Sequence, residues 1–357
     1  MAKSEPYSVQ KIIHHPEALR RMKSEEHPSP IQIHFMPALA CQQKCQFCAF
    51  GHRDPSDGPE QHGWKNMELM SKAYMPREKM LECLWDWKFM GVKAIEITGG
   101  GEPLIWPHII DFLKRAGQWG VDLALVTNGV GLTYLIKDAL ESTNWKWARV
   151  SIDAGKPETY QKVRRVPNYH WSKAWLGVRR LASIRHHEYQ RVGVGFVVDA
   201  GNYDEVYDAA VLAKAAGADN IRISAAFTPQ HLERFPAGAL DIAAEQAGRA
   251  KRDLEDASFQ INDLVSERAG NMASPCQDYR YCGIKDVLCV VGGDCNVYTC
   301  CTLAFNSLGL IGSIENQSFL ELWESAETRS FFENHDARRI CKVECLYESI
   351  VTGKQHV

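Results

Sequence analysis

Between residues 31 and 224 short apolar segments alternate with helix-length stretches, and this rhythm restricts the fold more than any other feature. Residues 31–35 alternate apolar and polar side chains, the period of a strand with one buried face. Residues 94–98, 123–127, 148–153, 192–198 and 220–224 have the same β-branched and aliphatic character. Pro76 opens a helix to Met90 with Gly91 as its stop, and residues 107–116 and 171–184 also read as helices. Asn202 and Glu205 have capping-box spacing before a helix ending at Gly217. Six strands separated by helices predict parallel pairing with right-handed crossovers. Sites in such α/β sheets and barrels gather just after the strands.

The first strand runs into Cys41-Gln-Gln-Lys-Cys45-Gln-Phe47-Cys48, three thiols with three and then two residues between them. Thiolates this close suit a soft metal or an iron–sulfur cluster, and they leave one coordination position without a local ligand. Structural zinc usually draws on two pairs of ligands, so the triplet favours iron–sulfur over zinc. Phe47 is placed to pack in the loop or to lie against a flat ligand. Of the twelve cysteines, eight fall between Cys276 and Cys345, Cys83 stands alone on an apolar helix as a packing residue, and residues 84–275 have none. Residues 1–21 lack the apolar core of a signal peptide, and no apolar run reaches the roughly 20 residues of a membrane span. A cytoplasmic location follows, where disulfides are disfavoured and two metal or cluster sites account for the thiols. The net charge of −3 and the lack of a basic stripe argue against nucleic-acid binding.

After the second strand comes Gly99-Gly100-Gly101-Glu102-Pro103, which lacks the single-glycine spacing of a dinucleotide fingerprint. It reads either as a tight strand-to-helix turn or as backbone brought close to a ligand, with Glu102 able to accept bonds from an ammonium group. Four segments are expected: an arm at 1–30, a barrel at 31–235, a mainly helical connector at 236–275 and a small cysteine-rich domain at 276–357. Gly51 opens a long loop over the site. Ser318 and Glu321 cap one further helix running to about Phe332. The pair His186-His187 and the loop residues His52 and His62 have no metal-binding spacing and read as solvated surface, and packing explains most of the ten tryptophans.

The triplet Cys41/Cys45/Cys48 with Phe47, followed by Gly99–Pro103, resembles the radical S-adenosylmethionine (SAM) superfamily over roughly residues 31–227. The resemblance implies an α/β fold, a partial (β/α)6 TIM-like barrel, with a 4Fe–4S cluster at its mouth whose open iron binds SAM. It implies that Gly99, Gly100, Gly101 and Glu102 contact the methionyl amino group. Ser151 and Asp153 match positions near the ribose and methionine, and Arg164 resembles the arginine that pairs with the SAM carboxylate. Asn128 and Ile223 match the nucleoside pocket. Electron transfer into the sulfonium would release a 5′-deoxyadenosyl radical that abstracts a substrate hydrogen atom, and a mostly apolar barrel interior would protect it.

The run Gly293-Asp-Cys-Asn-Val-Tyr-Thr-Cys300 before the Ser318 helix resembles a SPASM/Twitch extension. That implies one auxiliary 4Fe–4S cluster on Cys282, Cys300, Cys341 and Cys345, with Cys276 as substitute and zinc as the rival metal. Cys289, Cys295 and Cys301 are left over as core thiols, with Cys295 and Cys301 candidate hydrogen donors. The implied activity is oxidoreductase-type: oxidation, crosslinking or epimerisation of a peptide or protein side chain, with a flavodoxin or ferredoxin as electron donor. Dehydrogenation or epimerisation of a small polar molecule such as an aminosugar is the alternative, and the lack of an N-terminal stretch for peptide recognition weighs toward it. A non-catalytic zinc-binding module is the rival from another class.

Overall fold

The structure, a computed structural model, describes residues 29–50, 74–226, 234–268 and 280–341. The N-terminal arm up to residue 28, the loop after Gly51 with His52 and His62, Cys276 and Cys345 lie outside the described residues.

The expected six strands are present as β1 (Gln32–Met36), β2 (Ala94–Ile97), β3 (Asp122–Thr127), β4 (Trp145–Ser151), β5 (Arg191–Val198) and β6 (Asn220–Ala225). They pair in chain order and all parallel. The helices between them are α1 (Arg77–Phe89), α2 (Ile109–Trp119), α3 (Tyr134–Glu141), α4 (Pro157–Arg164), α5 (Tyr169–Ser183) and α6 (Val206–Ala215). The fold is therefore the α/β partial barrel expected, with a cysteine-rich C-terminal part.

The sheet continues past both predicted edges. Within residues 236–275, α7 (Ala239–Leu254) leads into β7 (Gln260–Asp263), which extends the sheet parallel to β6, before the short α8 (Leu264–Arg268). At the other edge β8 (Leu288–Gly292) pairs parallel with β1. Two antiparallel strands, β9 (Asn296–Tyr298) and β10 (Leu310–Ser313), complete a ten-stranded sheet. The cysteine-rich segment thus shares a sheet with the barrel through the strand that delivers Cys41.

One face of every barrel strand packs on the helices. Ile33, Phe35, Ile95, Ile97, Val150 and Phe196 are wholly buried there. Phe35 meets Trp87, Trp106 and Phe112 at ring-centroid distances of 5.4, 5.5 and 5.1 Å. Burying such an aromatic contributes about 2–3 kcal/mol from area alone. The tryptophans Trp87, Trp106, Trp145 and Trp323 are buried as expected, whereas Trp85 is 74% exposed.

Three expectations need correction. Asn202 and Glu205 do not form a capping box: Asn202 donates to the carbonyls of Asp153 and Val197 at 2.8 and 2.9 Å, and Glu205 accepts from Gly155 N, Lys156 N and the Thr159 hydroxyl. These tertiary contacts claim both side chains before the helix can. The Ser318–Glu321 capping box is present, but the helix ends early: α9 (Phe319–Glu324) stops at Ser325, which caps a new helix, α10 (Ala326–Asn334). Third, the concave face of the barrel is not mostly apolar. Because side chains alternate along a strand, the positions opposite the helix layer include Gln32, His34, Glu96, Arg149, Ser151 and Arg222. His34 lies 3.3 Å from Glu96 and 3.0 Å from the Gln32 amide.

Candidate active site

The parallel strands all end at one edge of the barrel, and the loops there hold the thiol triplet. The Cys41–Cys48 loop leaves β1 and is clamped on two sides. Gly101 N and Glu102 N donate to the carbonyls of Ala38 and Ala40, each at 2.9 Å. Lys44 N and Gln46 N donate to Arg164 O and Val163 O at the end of α4, at 3.1 and 3.0 Å. The close approach on the first side explains the glycines. A Cβ on Gly101 would fall 2.1 Å from Ala40 O, and one on Gly99 would fall 1.7 Å from Gly101 O. A Cβ on Gly100 would press on the side chains of Phe305 and Leu39. The glycine run thus seats the cysteine loop on the turn.

Glu102 is 2% exposed and held by its own turn and by the next strand end. It accepts from Asn128 N at 2.7 Å, Leu104 N at 3.1 Å and the Thr127 hydroxyl. Burial pushes its carboxyl above the usual range. Asn128 in turn approaches Cys41: its Oδ1 accepts from Gln42 Nε2 at 3.3 Å and its Nδ2 stands 4.0 Å from Cys41 Sγ. Asp153 and Arg164 form a buried ion pair, 1% and 3% exposed. Asp153 sits in the left-handed backbone region at φ 56° and accepts from Val197 N at 2.6 Å. Burial raises its carboxyl while Arg164 opposes the rise. Arg164 also donates to Gln43 Oε1 at 2.6 Å, and Gln43 Nε2 donates to Tyr160 OH at 2.9 Å. Ser151 is half-buried at the concave end of β4, and Phe47 is half-buried in the cysteine loop. Ile223 points the other way, fully buried in the layer between sheet and helices. Gln43, Tyr160, Asn202 and Asp199 (which accepts from Gln46 Nε2 at 2.6 Å) complete the network and were not anticipated.

The three thiols are partly buried and in no disulfide. Burial pushes the Cys41 and Cys45 thiols up to about 12. Such thiols become thiolates only when a cation compensates them, which is what iron would supply. Among the described residues no three His, Cys, Asp or Glu side chains converge on one metal ion. A cubane cluster takes one thiolate per iron, so its ligands surround a volume rather than a point. Arg164 Nε is buried without a hydrogen-bond partner in the structure, a donor that a ligand carboxylate would satisfy. The residues therefore fit both an iron–sulfur cluster and SAM.

The second group of thiols lies at the opposite end of β1. Cys282 and Cys300 pack on one apolar patch of Ile284, Val287 and Leu288 with Ile31, where β1 and β8 begin. Cys341 follows α11 (Ala337–Ile340), whose first residue donates its N–H to Arg280 O at 2.9 Å, two residues before Cys282 in the chain. A strand of 5 residues spans about 17 Å, so the two groups cannot touch the same reacting atom. The leftover thiols separate cleanly. Cys289 and Cys295 belong to the helix-side core, with Cys295 Sγ 4.0 Å from Met75 Sδ. Cys301 packs with Met36, Val290 and Tyr298 beside Phe50 and Phe305, on the concave side. Burial and the nearby Glu96 raise its thiol. Cys83 is buried packing, and His186 is an exposed partner of Glu141 at 2.6 Å.

Residues 36–213 match the family model described as the radical SAM superfamily, and residues 282–346 match SPASM, an iron–sulfur cluster-binding domain. The chain is 25% identical over 279 residues to the AdoMet-dependent heme synthase of Methanosarcina barkeri, covering 73% of this chain and 77% of that protein. It is 23% identical over 308 residues to the mycofactocin maturase MftC of Mycobacterium ulcerans, covering 84% and 75%. The crystal structure of Streptococcus suis SuiB bound to precursor peptide SuiA superposes with a TM-score of 0.63 at 12% identity, over 97% of this chain and 78% of that one. Identity that low speaks to the fold alone.

Proposed function

Because the chain belongs to the radical SAM superfamily and carries a SPASM domain, we propose that it cleaves SAM reductively and abstracts a hydrogen atom from a peptide or protein side chain. Its cofactors are a 4Fe–4S cluster with an open iron position, SAM and auxiliary iron–sulfur. When bound, the first cluster supplies the single electron that breaks the sulfonium carbon–sulfur bond and yields the 5′-deoxyadenosyl radical. Cys41, Cys45 and Cys48 hold that cluster. Cys282, Cys300, Cys341 and Cys345 hold the auxiliary one, with Cys276 as substitute.

The observation that carries this reading is the continuous network from the thiol loop to the strand ends. Gln43 ties the cysteine loop to Arg164, Arg164 ties to Asp153, and Asn128 ties Glu102 to the loop beside Cys41. Glu102, held by three donors, keeps a fixed carboxylate at the loop for an ammonium group. The unpartnered Nε of Arg164 is the donor for the SAM carboxylate. Ser151 and Asp153 line the ribose side and Asn128 the nucleoside side. Ile223 reaches the nucleoside only through its backbone, because its side chain belongs to the helix-side core.

A peptide substrate is supported by the likeness to a maturase and to a protein crystallised with a precursor peptide. Four candidate auxiliary ligands favour net oxidation or crosslinking, with the substrate electron passed to the auxiliary cluster and a flavodoxin or ferredoxin as the donor of the electron that cleaves SAM. The cytoplasm is the compartment this reading requires, and no described helix is long and apolar enough to cross a membrane. The test uses candidate peptides deuterated at side-chain carbons. Deuterium should appear in 5′-deoxyadenosine and the peptide should lose hydrogen mass. Transfer from an aminosugar and from no peptide contradicts the substrate class.

A further inference from the structure

Among the described residues Phe305 is the one aromatic in the left-handed backbone region, at φ 61°. That conformation is strained for a residue with a bulky side chain and persists only where the surroundings hold it. The surroundings here are a closed loop that starts at the auxiliary thiols. Leu303 N donates to Cys300 O, Asn306 N to Leu303 O and Gly309 N to Asn306 O, at 3.2, 3.2 and 3.1 Å. Thr299 N donates to Gly309 O at 2.9 Å and shuts the loop. A glycine would adopt the Phe305 backbone freely, so what phenylalanine supplies at this position is its ring.

The half-buried ring is wedged at the barrel mouth. A Cβ on Gly100 would fall 2.8 and 3.1 Å from its Cε2 and Cζ, and one on Gly292 would fall 3.0 Å from its Cε1. Gly292 ends β8 in register with Met36 at the end of β1, and Gly100 lies in the turn after β2. Tyr298 and Phe50 flank the ring at centroid distances of 5.2 and 5.8 Å, and Phe50 is two residues beyond Cys48. Leu39 Cδ2 would lie 2.9 Å from the same Gly100 Cβ. Gly100 therefore meets one side chain from the loop after β1 and one from the cysteine-rich segment. Gly101 and Glu102 are tied to Ala38 and Ala40 by their N–H groups, whereas Gly100 has no backbone–backbone hydrogen bond among the described residues. Packing is what holds it.

We propose that Phe305 is a positioning residue for SAM: its ring braces the Gly99–Glu102 turn, so the cysteine-rich segment completes the SAM site. A binding turn serves its ligand only when its own shape is fixed by what packs behind it. The loop from Cys300 to Gly309 carries that support from the auxiliary thiols to the mouth. This inference rests on the radical SAM reading, in which the turn meets the methionyl amino group, and adds a residue of the second cysteine segment to it.

The test is equilibrium dialysis of the reconstituted full-length holoenzyme with labelled SAM, read beside iron content and denaturant midpoint. Phe305→Ala and Phe305→Gly should each weaken SAM retention at least about tenfold with iron content unchanged. Phe305→Leu, which refills part of the space, should fall between them and the wild type. The glycine variant relieves the backbone and should have a higher midpoint than the alanine variant, yet bind SAM no better. Phe331→Ala removes a partly buried aromatic of α10 that packs on Phe332 at 5.9 Å, so it should lose stability and keep SAM. In the slow cleavage of SAM without substrate, the KM for SAM should rise in the Phe305 variants while kcat changes less than about threefold. Unchanged SAM retention in both the alanine and glycine variants overturns the role. So does SAM retention that follows the denaturant midpoint across the variants, or iron lost together with SAM, since either makes Phe305 a general packing residue. Each of these leaves the proposed function standing. Iron-loaded wild type that retains no SAM overturns the radical SAM reading, and this inference with it.

Discussion

Gln43 joins two parts of the site that residue types alone present as separate. Its amide bridges Arg164 and Tyr160 while its backbone N–H points at Cys41 Sγ at 3.4 Å. The cysteines and Glu102 are legible from residue type and spacing, and Asp153 and Arg164 through the resemblance to the superfamily. Gln43, between two cysteines, is not, since its partners lie 117 and 121 residues away. The buried ion pair gives the first prediction. Asp153→Asn retains an acceptor for Val197 N but strands the Arg164 guanidinium, so urea denaturation should show a loss of about 3–5 kcal/mol. A second concerns pH. Burial, and then Lys285, pushes the His335 imidazole down to about 4, below its ordinary 6.5. The unfolded chain takes up this proton near 6.5 and the folded chain only near 4, so the folded state loses stability as pH falls through that window. Denaturant midpoints at pH 7 and pH 5 should differ less in His335→Gln than in the wild type.

At the scale of elements, the six strand–helix units were legible because each strand has one helix-facing and one concave side, which prints alternation on the sequence. β8 was not, because all five of its residues are buried and so it shows no period. β7 is only 4 residues long, too short for a pattern. The same alternation carried the polar concave face, which weighs against an apolar interior once the register is known. Glycines give contrasting tests of the turns. Gly101→Ala forces a Cβ against Ala40 O and must displace the cysteine loop, so both the denaturant midpoint and iron retention should fall. Gly91→Ala sits at φ 81° with nothing within 4 Å, so it should cost about 1 kcal/mol and leave iron content unchanged. Ser325→Ala removes the cap of α10 and should cost about 1 kcal/mol, read from the same melts.

For the whole molecule, the shared sheet matters most. The strand that delivers Cys41, Cys45 and Cys48 is flanked by β2, which delivers Gly99–Glu102, and by β8, which anchors the second cysteine group. The two cysteine groups thus sit at opposite ends of one strand pair, with the concave face between them, and the proposed function assigns radical generation to the first and electron uptake to the second. Anaerobic reconstitution with iron and sulfide, followed by reductant and SAM, tests this account most directly. Wild-type protein should bind about eight iron per chain and form 5′-deoxyadenosine. Cys45→Ala should keep only about half the iron and form none, whereas Cys341→Ala should still cleave SAM while losing auxiliary iron. Iron-loaded wild-type protein that forms no 5′-deoxyadenosine, or a colourless protein that takes zinc instead, would contradict it.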